Sequence, residues 1–444
     1  VETKNADDAD DDTGTRRKRG VLGQRDFRLL WIGETVRGIG NSVTTVAVPL
    51  IAVVTLGSSA TAVGVLSAAV WLPWLLVGLP AGAWVDRMRR RPLLIACAVL
   101  SAVLYATVPV AAWLDALTFS HLLAVVLICG IAAVFVRTAV HSYLPTVLTE
   151  ADLQEGNARI SASESATDVV GKGLAGLISQ VFGAVTGLLL DALTFVLSAL
   201  CLAGIKARET KPEQPDQPIP LSRQIAEGLR FVFSDRYLRP IVTYGALVNF
   251  ALLGYQAVQV VFLVRTVGVS TATVGVLLTA GSIGGIAGAS VAPAVGRRFG
   301  TARGMLATQL LTGPFALLLP LTTSGAGLAF FALGTFVLGF GIVTCNVVLA
   351  SFRQTYCPPR ILGRVVATTM VLNHSTIPLG ALIGGFLGDA LGPRPAMWIM
   401  TAVLAPCGLV LALGPMRSQR DLPTTSRPEP DTDTDTDSQE KEPA

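Results

Sequence analysis

The chain has 444 residues, of which 51% are hydrophobic and only 14% charged, against about 25% charged in soluble proteins; its mean hydropathy is +0.59. A net charge of +4 is too small to point to nucleic acid, and six scattered cysteines with no CxxC argue against a metal site or disulfide framework. What remains is long apolar stretches that only lipid solvates well, the mark of an all-α integral membrane protein with no cofactor.

A bilayer core about 30 Å thick takes roughly 20 apolar residues per helix, and twelve predicted spans meet that measure. Residues 1–26 precede them as an expected disordered tail, with an acidic run from Asp7 to Asp12 and then Arg16-Arg17-Lys18-Arg19. Those basic residues suit the anionic inner leaflet, and the segment lacks the apolar run of a cleavable signal peptide. Span 1 (27–55) places Glu34, Arg37, Asn41 and Thr44 or Thr45 on one helical face. Span 2 (62–84) runs into the basic turn GAWVDRMRRRP. Spans 3 (92–114) and 4 (118–141) follow, the latter with Arg137 and His141 four residues apart. Span 5 (161–183) carries Ser161, Glu164 or Ser165, Asp168 and Lys172 along one face, and span 6 (185–205) completes an N-terminal six-helix half, 27–205.

A cytoplasmic linker is expected over 206–238. KPEQPDQPIP, with its four prolines, cannot be helical, whereas Ile225, Leu229 and Val232 predict an amphipathic surface helix from Ser222 to Ser234. The C-terminal half, 239–414, holds spans 7 (239–264), 8 (271–295), 9 (303–322), 10 (326–350), 11 (365–389) and 12 (395–414). It is polar more than charged: Asn249, Gln256 and Gln259 in span 7, Asn346 in span 10, Asn373 and His374 in span 11. Asp-Thr repeats mark 415–444 as a second disordered cytoplasmic tail.

The two halves echo each other. VGRRFGTARG follows span 8 where GAWVDRMRRRP follows span 2, and glycines at GxxxG spacing recur in every third span: Gly78/Gly82, Gly281/Gly285, Gly284/Gly288 and Gly380/Gly384/Gly388, with Gly171, Gly173 and Gly176 in span 5. Such helices pack backbone to backbone, and two related six-helix halves are how many secondary transporters are built, with the site between them near the midplane. With both termini cytoplasmic, only Arg265 and Arg394 of the 34 Lys and Arg fall outside, and Arg37, Arg137 and Lys172 fall within spans. That is the positive-inside pattern of a multi-pass cell-membrane protein.

On these residues the chain resembles the major facilitator superfamily, in its bacterial drug and natural-product exporter branch of macrolide-efflux and enterobactin-exporter-like proteins. Gly82-Ala83-Trp84-Val85-Asp86-Arg87-Met88-Arg89-Arg90-Arg91 fits the family pattern G-x-x-x-D-R-x-x-R-R. FRLLWIGETVRGIGNS, LPTVLTEADLQEGNARISASES, LLLDALTFVLSAL, and GRVVATTM followed by Pro378-Leu379-Gly380 are also similar to this branch. The resemblance covers about 20–415 and implies a monomer that binds a small-molecule substrate. It also implies a gating latch at Gly82, Asp86, Arg87, Arg90 and Arg91. One departure stands in span 5, where Lys172 occupies the place of the proline in the antiporter pattern Gly-Pro-x-x-x-Gly.

Ionisable groups inside a membrane are costly and point to function. Glu34, Asp168, Arg37, Arg137 and Lys172 are therefore candidates for proton coupling, and Asn41, Asn249, Gln256, Gln259, Asn346 and Asn373 for the substrate cavity. Glu34–Arg37 and Asp168–Lys172 also read as structural pairs that make burial tolerable, and both readings stand open. Arg137, with no partner on its own helix, is expected to reach a carboxylate of span 1 or 5. The chain has no G-x-x-x-x-G-K-[ST] phosphate loop, and His121, His141 and His374 sit on separate spans, so neither ATP nor enzyme chemistry is indicated. The expectation is proton-coupled export of a small amphiphilic molecule; transport or import of an ordinary metabolite on the same fold is the alternative.

Overall fold

The computed structural model describes residues 21–85, 88–149, 152–207, 229–357 and 359–423. Twelve helices account for nearly all of them: α1 (Arg25–Leu50), α2 (Ala60–Val85), α3 (Arg90–Trp113), α4 (Phe119–Val147), α5 (Leu153–Phe182), α6 (Ala184–Ala203), α7 (Leu238–Val261), α8 (Thr271–Phe299), α9 (Thr301–Thr312), α10 (Leu328–Tyr356), α11 (Pro359–Ala390) and α12 (Pro393–Leu404). Eleven are long and apolar enough to cross a membrane. The exception is α5, whose 30 residues include Glu155, Arg159, Glu164, Asp168 and Lys172; packed into the bundle, it lies where polar side chains find partners.

Each half repeats the same devices. The first helix of each ends in a π-helical turn, Ile51–Thr55 after α1 and Phe262–Val267 after α7. Each turn is closed by a glycine with positive φ, Gly57 at +60° and Gly268 at +78°, a conformation that costs other residues about 1–2 kcal/mol. Gly183 and Gly392, at +86° and +92°, make the same sharp turn between the fifth and sixth helices of each half. Prolines shape the ends of α9 and α12. With Pro314 and Pro320, Gly313–Leu321 continues α9 as a 3₁₀-helix, and Pro406 does the same over Ala405–Cys407 beyond α12.

Within the first half α1 packs on α5 and α6, and within the second α7 packs on α11 and α12. The halves meet chiefly through α2 against α11 and α5 against α8. The glycines expected to permit close packing do so at Gly284, Gly288, Gly380 and Gly384, each against backbone of a neighbouring helix. Gly78 does not: a Cβ there would meet only Trp74 of its own helix, at 3.9 Å. Residues 229–234 of the expected surface helix are helical and Val232 is buried. The rest of that helix, the acidic and basic head, the proline run and the Asp-Thr tail lie outside the described residues.

Candidate functional site

Hydrogen bonds join the halves at mid-bundle and on the face opposite the chain ends. At that outer edge the Asp389 carboxylate of α11 accepts from Ala60 N (2.8 Å) and Thr61 N (2.9 Å), capping the first turn of α2. Arg265 donates back across the seam to the carbonyls of Ser58 (2.8 Å) and Val53 (3.3 Å), and Thr271 donates to Gln180 (3.1 Å). Beneath these bonds α5 and α8 touch through glycine. A Cβ on Gly275 would stand 2.6 Å from the Gly176 Cα and 2.8 Å from the Lys172 carbonyl.

Further along the α5–α8 seam, toward the chain ends, lies a polar knot. Lys172 Nζ donates to Asp168 Oδ2 (2.8 Å) and to Ser282 Oγ of α8 (2.9 Å), while Ser282 donates to the same carboxylate oxygen at 2.5 Å. The expected Asp168–Lys172 pair therefore exists and is tied to the other half through Ser282. Lys172 does not interrupt the helix; α5 runs unbroken from Leu153 to Phe182. Across the knot, His374 of α11 lies against Trp71 and Trp74 of α2, with ring centroids 5.4 and 6.4 Å away.

Between α4 and α10 the halves make no contact comparable to those of α2 with α11 and α5 with α8, and polar side chains expected to line a cleft there are open to solvent. Asn41 and Thr45 of α1, Arg137 of α4, Ser161, Glu164 and Ser165 of α5, and Asn346 of α10 are exposed, while Gln256 and Gln259 of α7 are half-buried. Glu34 and Arg37 form the second expected pair, with Arg37 Nη2 2.5 Å from Glu34 Oε2 and Nε 3.2 Å from Oε1.

Three of the expected residues have neighbours or surroundings that the sequence did not show. Arg137 makes no ion pair within 4.0 Å among the described residues and stands exposed. Asn373 lies at the α7–α11 crossing: Asn249 Nδ2 donates to its carbonyl (3.3 Å), and a Cβ on Gly245 would meet its amide. Arg91 donates to the carbonyls of Leu202 (3.0 Å) and Ala203 (2.6 Å), joining the α3 entry to the end of α6. Of the expected latch, Gly82 lies near the end of α2, Arg90 opens α3, and Asp86 and Arg87 lie outside the described residues.

One carboxylate escaped the sequence reading. Asp191 of α6 is 1% exposed, the sole Asp, Glu, Lys or Arg fully buried among the described residues. It faces α1, where Thr44 Oγ1 donates to its Oδ2, and Thr194 Oγ1 lies 3.1 Å from its Oδ1. Gly40 of α1 has no space for a Cβ because Asp191 and Thr194 occupy it. A lone acid within LLLDALTFVLSAL was the available signal; its partners, far off in the sequence, were not visible there.

The family model for the Major Facilitator Superfamily matches residues 30–377 and 247–440. The multidrug efflux pump Tap of Mycolicibacterium fortuitum is 28% identical over 422 residues, spanning 92% of this chain and 99% of that protein. Macrolide efflux protein A of Streptococcus pyogenes is 21% identical over 372 residues, spanning 82% and 90%. Among solved structures, a bacterial homologue of the iron transporter ferroportin in its inward-facing state superposes with a TM-score of 0.71 at 15% identity, covering 89% of this chain and 99% of that one. The chain belongs to the major facilitator superfamily, and it is a multi-pass membrane transporter, not an enzyme.

Proposed function

We propose that this member of the major facilitator superfamily exports small amphiphilic organic molecules by proton antiport with alternating access, as a monomer with both termini in the cytoplasm. The observation that carries this reading is the Asp168–Lys172–Ser282 knot, an ionisable group tied across the two halves where the outer seal ends. In this reading the basic turns assign the side of the chain ends to the cytoplasm, and a cleft open on that side corresponds to an inward-facing state. The names of the two efflux relatives support export and an amphiphilic substrate.

The coupling follows from the chemistry of the knot. As a carboxylate, Asp168 holds Lys172 and accepts from Ser282. Once protonated it loses the charge that attracts Lys172, and the bond across the halves weakens as the seal is released. Glu34 and Arg37 offer a second pair with the same logic at the cleft wall. Protonation and pairing are alternatives at each site. The cleft, with Asn41, Asn346, Gln256 and Gln259 beside Arg137 and Glu164, presents amides and charge next to apolar helix surface, which suits a solute of mixed character.

The test is proton movement in respiring inverted vesicles challenged with macrolides and other amphiphilic compounds. Compound-dependent acid release from the vesicle interior, lost in D168N and absent from vesicles without the protein, is the expected result. No release across a broad panel would refute the antiport reading and turn attention to a dedicated or uncoupled metabolite transporter.

A further inference from the structure

We propose that Asp191 is the group that holds the coupled proton while the cleft is open toward the chain ends, with Arg37 as the cation that takes over when that proton leaves. This rests on the antiport reading above, and it adds to Asp168 and Glu34 a third carboxyl that faces no water.

Four observations carry it. Asp191 is 1% exposed in the interior of the first half. Its neighbours at hydrogen-bond distance are hydroxyls: Thr44 donates to Oδ2, and Thr194 divides its single proton between Oδ1 (3.1 Å) and the Asp191 carbonyl (2.7 Å). No cation lies within 4.0 Å among the described residues, and Arg37, whose field reaches it, is held by both oxygens of Glu34. Finally, α1 and α6 pack closely, with Gly40 against the Asp191 and Thr194 side chains and Gly187 against the Ala47 Cβ, so Asp191 has no room to reach water and a counter-charge has to come to it.

A bare carboxylate in such a place is expensive. An unpaired buried ion costs several kcal/mol even after relaxation, and at most two hydroxyl donors offset little of that. The acid form costs far less and keeps both threonines satisfied. The other titratable groups facing this pocket do not change the balance: Glu34 of α1 is spent on Arg37, Glu164 of α5 lies exposed in the cleft, and Tyr105 of α3 and Cys129 of α4 carry no charge as phenol and thiol. Release of the proton as Asp191-COOH becomes Asp191-COO⁻ requires a counter-charge at the same moment. Arg37, whose field already reaches Asp191, supplies that charge when its guanidinium leaves Glu34 and swings toward Asp191, so exchange of Arg37 from Glu34 to Asp191 joins proton release to a change of ion pairing.

The experiment uses the full-length protein in vesicles and in detergent. D191N, which keeps size and hydrogen bonding, is expected to lose compound-driven proton release at least 10-fold. D191E, which restores a titratable carboxyl, is expected to recover release in part. D191N that releases protons as the wild type does would overturn the inference while leaving antiport intact. Wild-type protein that releases none refutes the antiport reading itself. Should D191N fail to fold, infrared spectroscopy of wild-type and D168N protein with isotope-labelled aspartate decides. A protonated aspartic acid at neutral pH in both supports the assignment, and its absence from wild-type protein overturns it.

Discussion

Replacing Asp389 by alanine is expected to loosen the outer seal without disturbing either half. Its two oxygens accept from Ala60 N and Thr61 N at 2.8 and 2.9 Å, so α11 of one half supplies the N-cap of α2 in the other. A hydrogen bond to a charged group contributes about 1.5–3 kcal/mol net, and a helix cap about 1 kcal/mol. Because this carboxylate is exposed to water, which screens it, we take about 1–2 kcal/mol for the whole contact. That corresponds to a roughly 5- to 30-fold change in the ratio of sealed to open outer face. The readout is the distance between spin labels at Leu114 and Leu391, both exposed on the sealed face, measured by pulsed electron resonance. D389A should raise the long-distance population, and adding R265A, which removes the bonds to Ser58 and Val53, should raise it further. An unchanged distribution in the double variant would refute the idea that these contacts hold the face shut.

G275V should abolish transport in protein that still inserts, because its Cβ would lie 2.6 Å from the Gly176 Cα, where only backbone could give way. G173A, whose Cβ would meet only a Thr279 methyl at 3.5 Å, should transport as wild type, and equal rates for both variants would contradict this account of the seam. S282A keeps the Asp168–Lys172 pair but breaks its tie to α8, and should change the vesicle export rate several-fold; no change would show that the tie across the halves is idle. Y244F leaves Gln309 Oε1 without the donor that lies 2.5 Å away in a buried site, at a cost of about 1–3 kcal/mol, read as earlier unfolding in detergent, whereas an unshifted transition would refute it. E155A, which removes an exposed i,i+4 pair with Arg159, should stay within about 0.5 kcal/mol of wild type.

Much was legible in the sequence because hydropathy, glycine spacing and charge are local properties. They gave the twelve helices, the division into related halves and the polar stripes of α1 and α5, and the pairs Glu34–Arg37 and Asp168–Lys172 could be read because each lies within one helical turn. Pairings between helices could not. Arg137, with no partner on its own helix, is expected from sequence to reach a carboxylate, but the structure leaves it exposed, and so able to stay hydrated. Asp191 shows the same limit from the other side. Its apolar neighbours in sequence say only that it is unusual, and Thr44 lies 147 residues away. Whether an ionisable group in a span meets water, a counter-ion or a pair of hydroxyls depends on which helix face is turned toward it, and that is set by close packing through residues such as Gly40 and Gly275. The sequence therefore determined the helices and the chemistry they carry. Only the tertiary structure decided which charges stand in the cleft, which tie the halves together and which one is sealed away, because solvation and electrostatic pairing act through space and not along the chain.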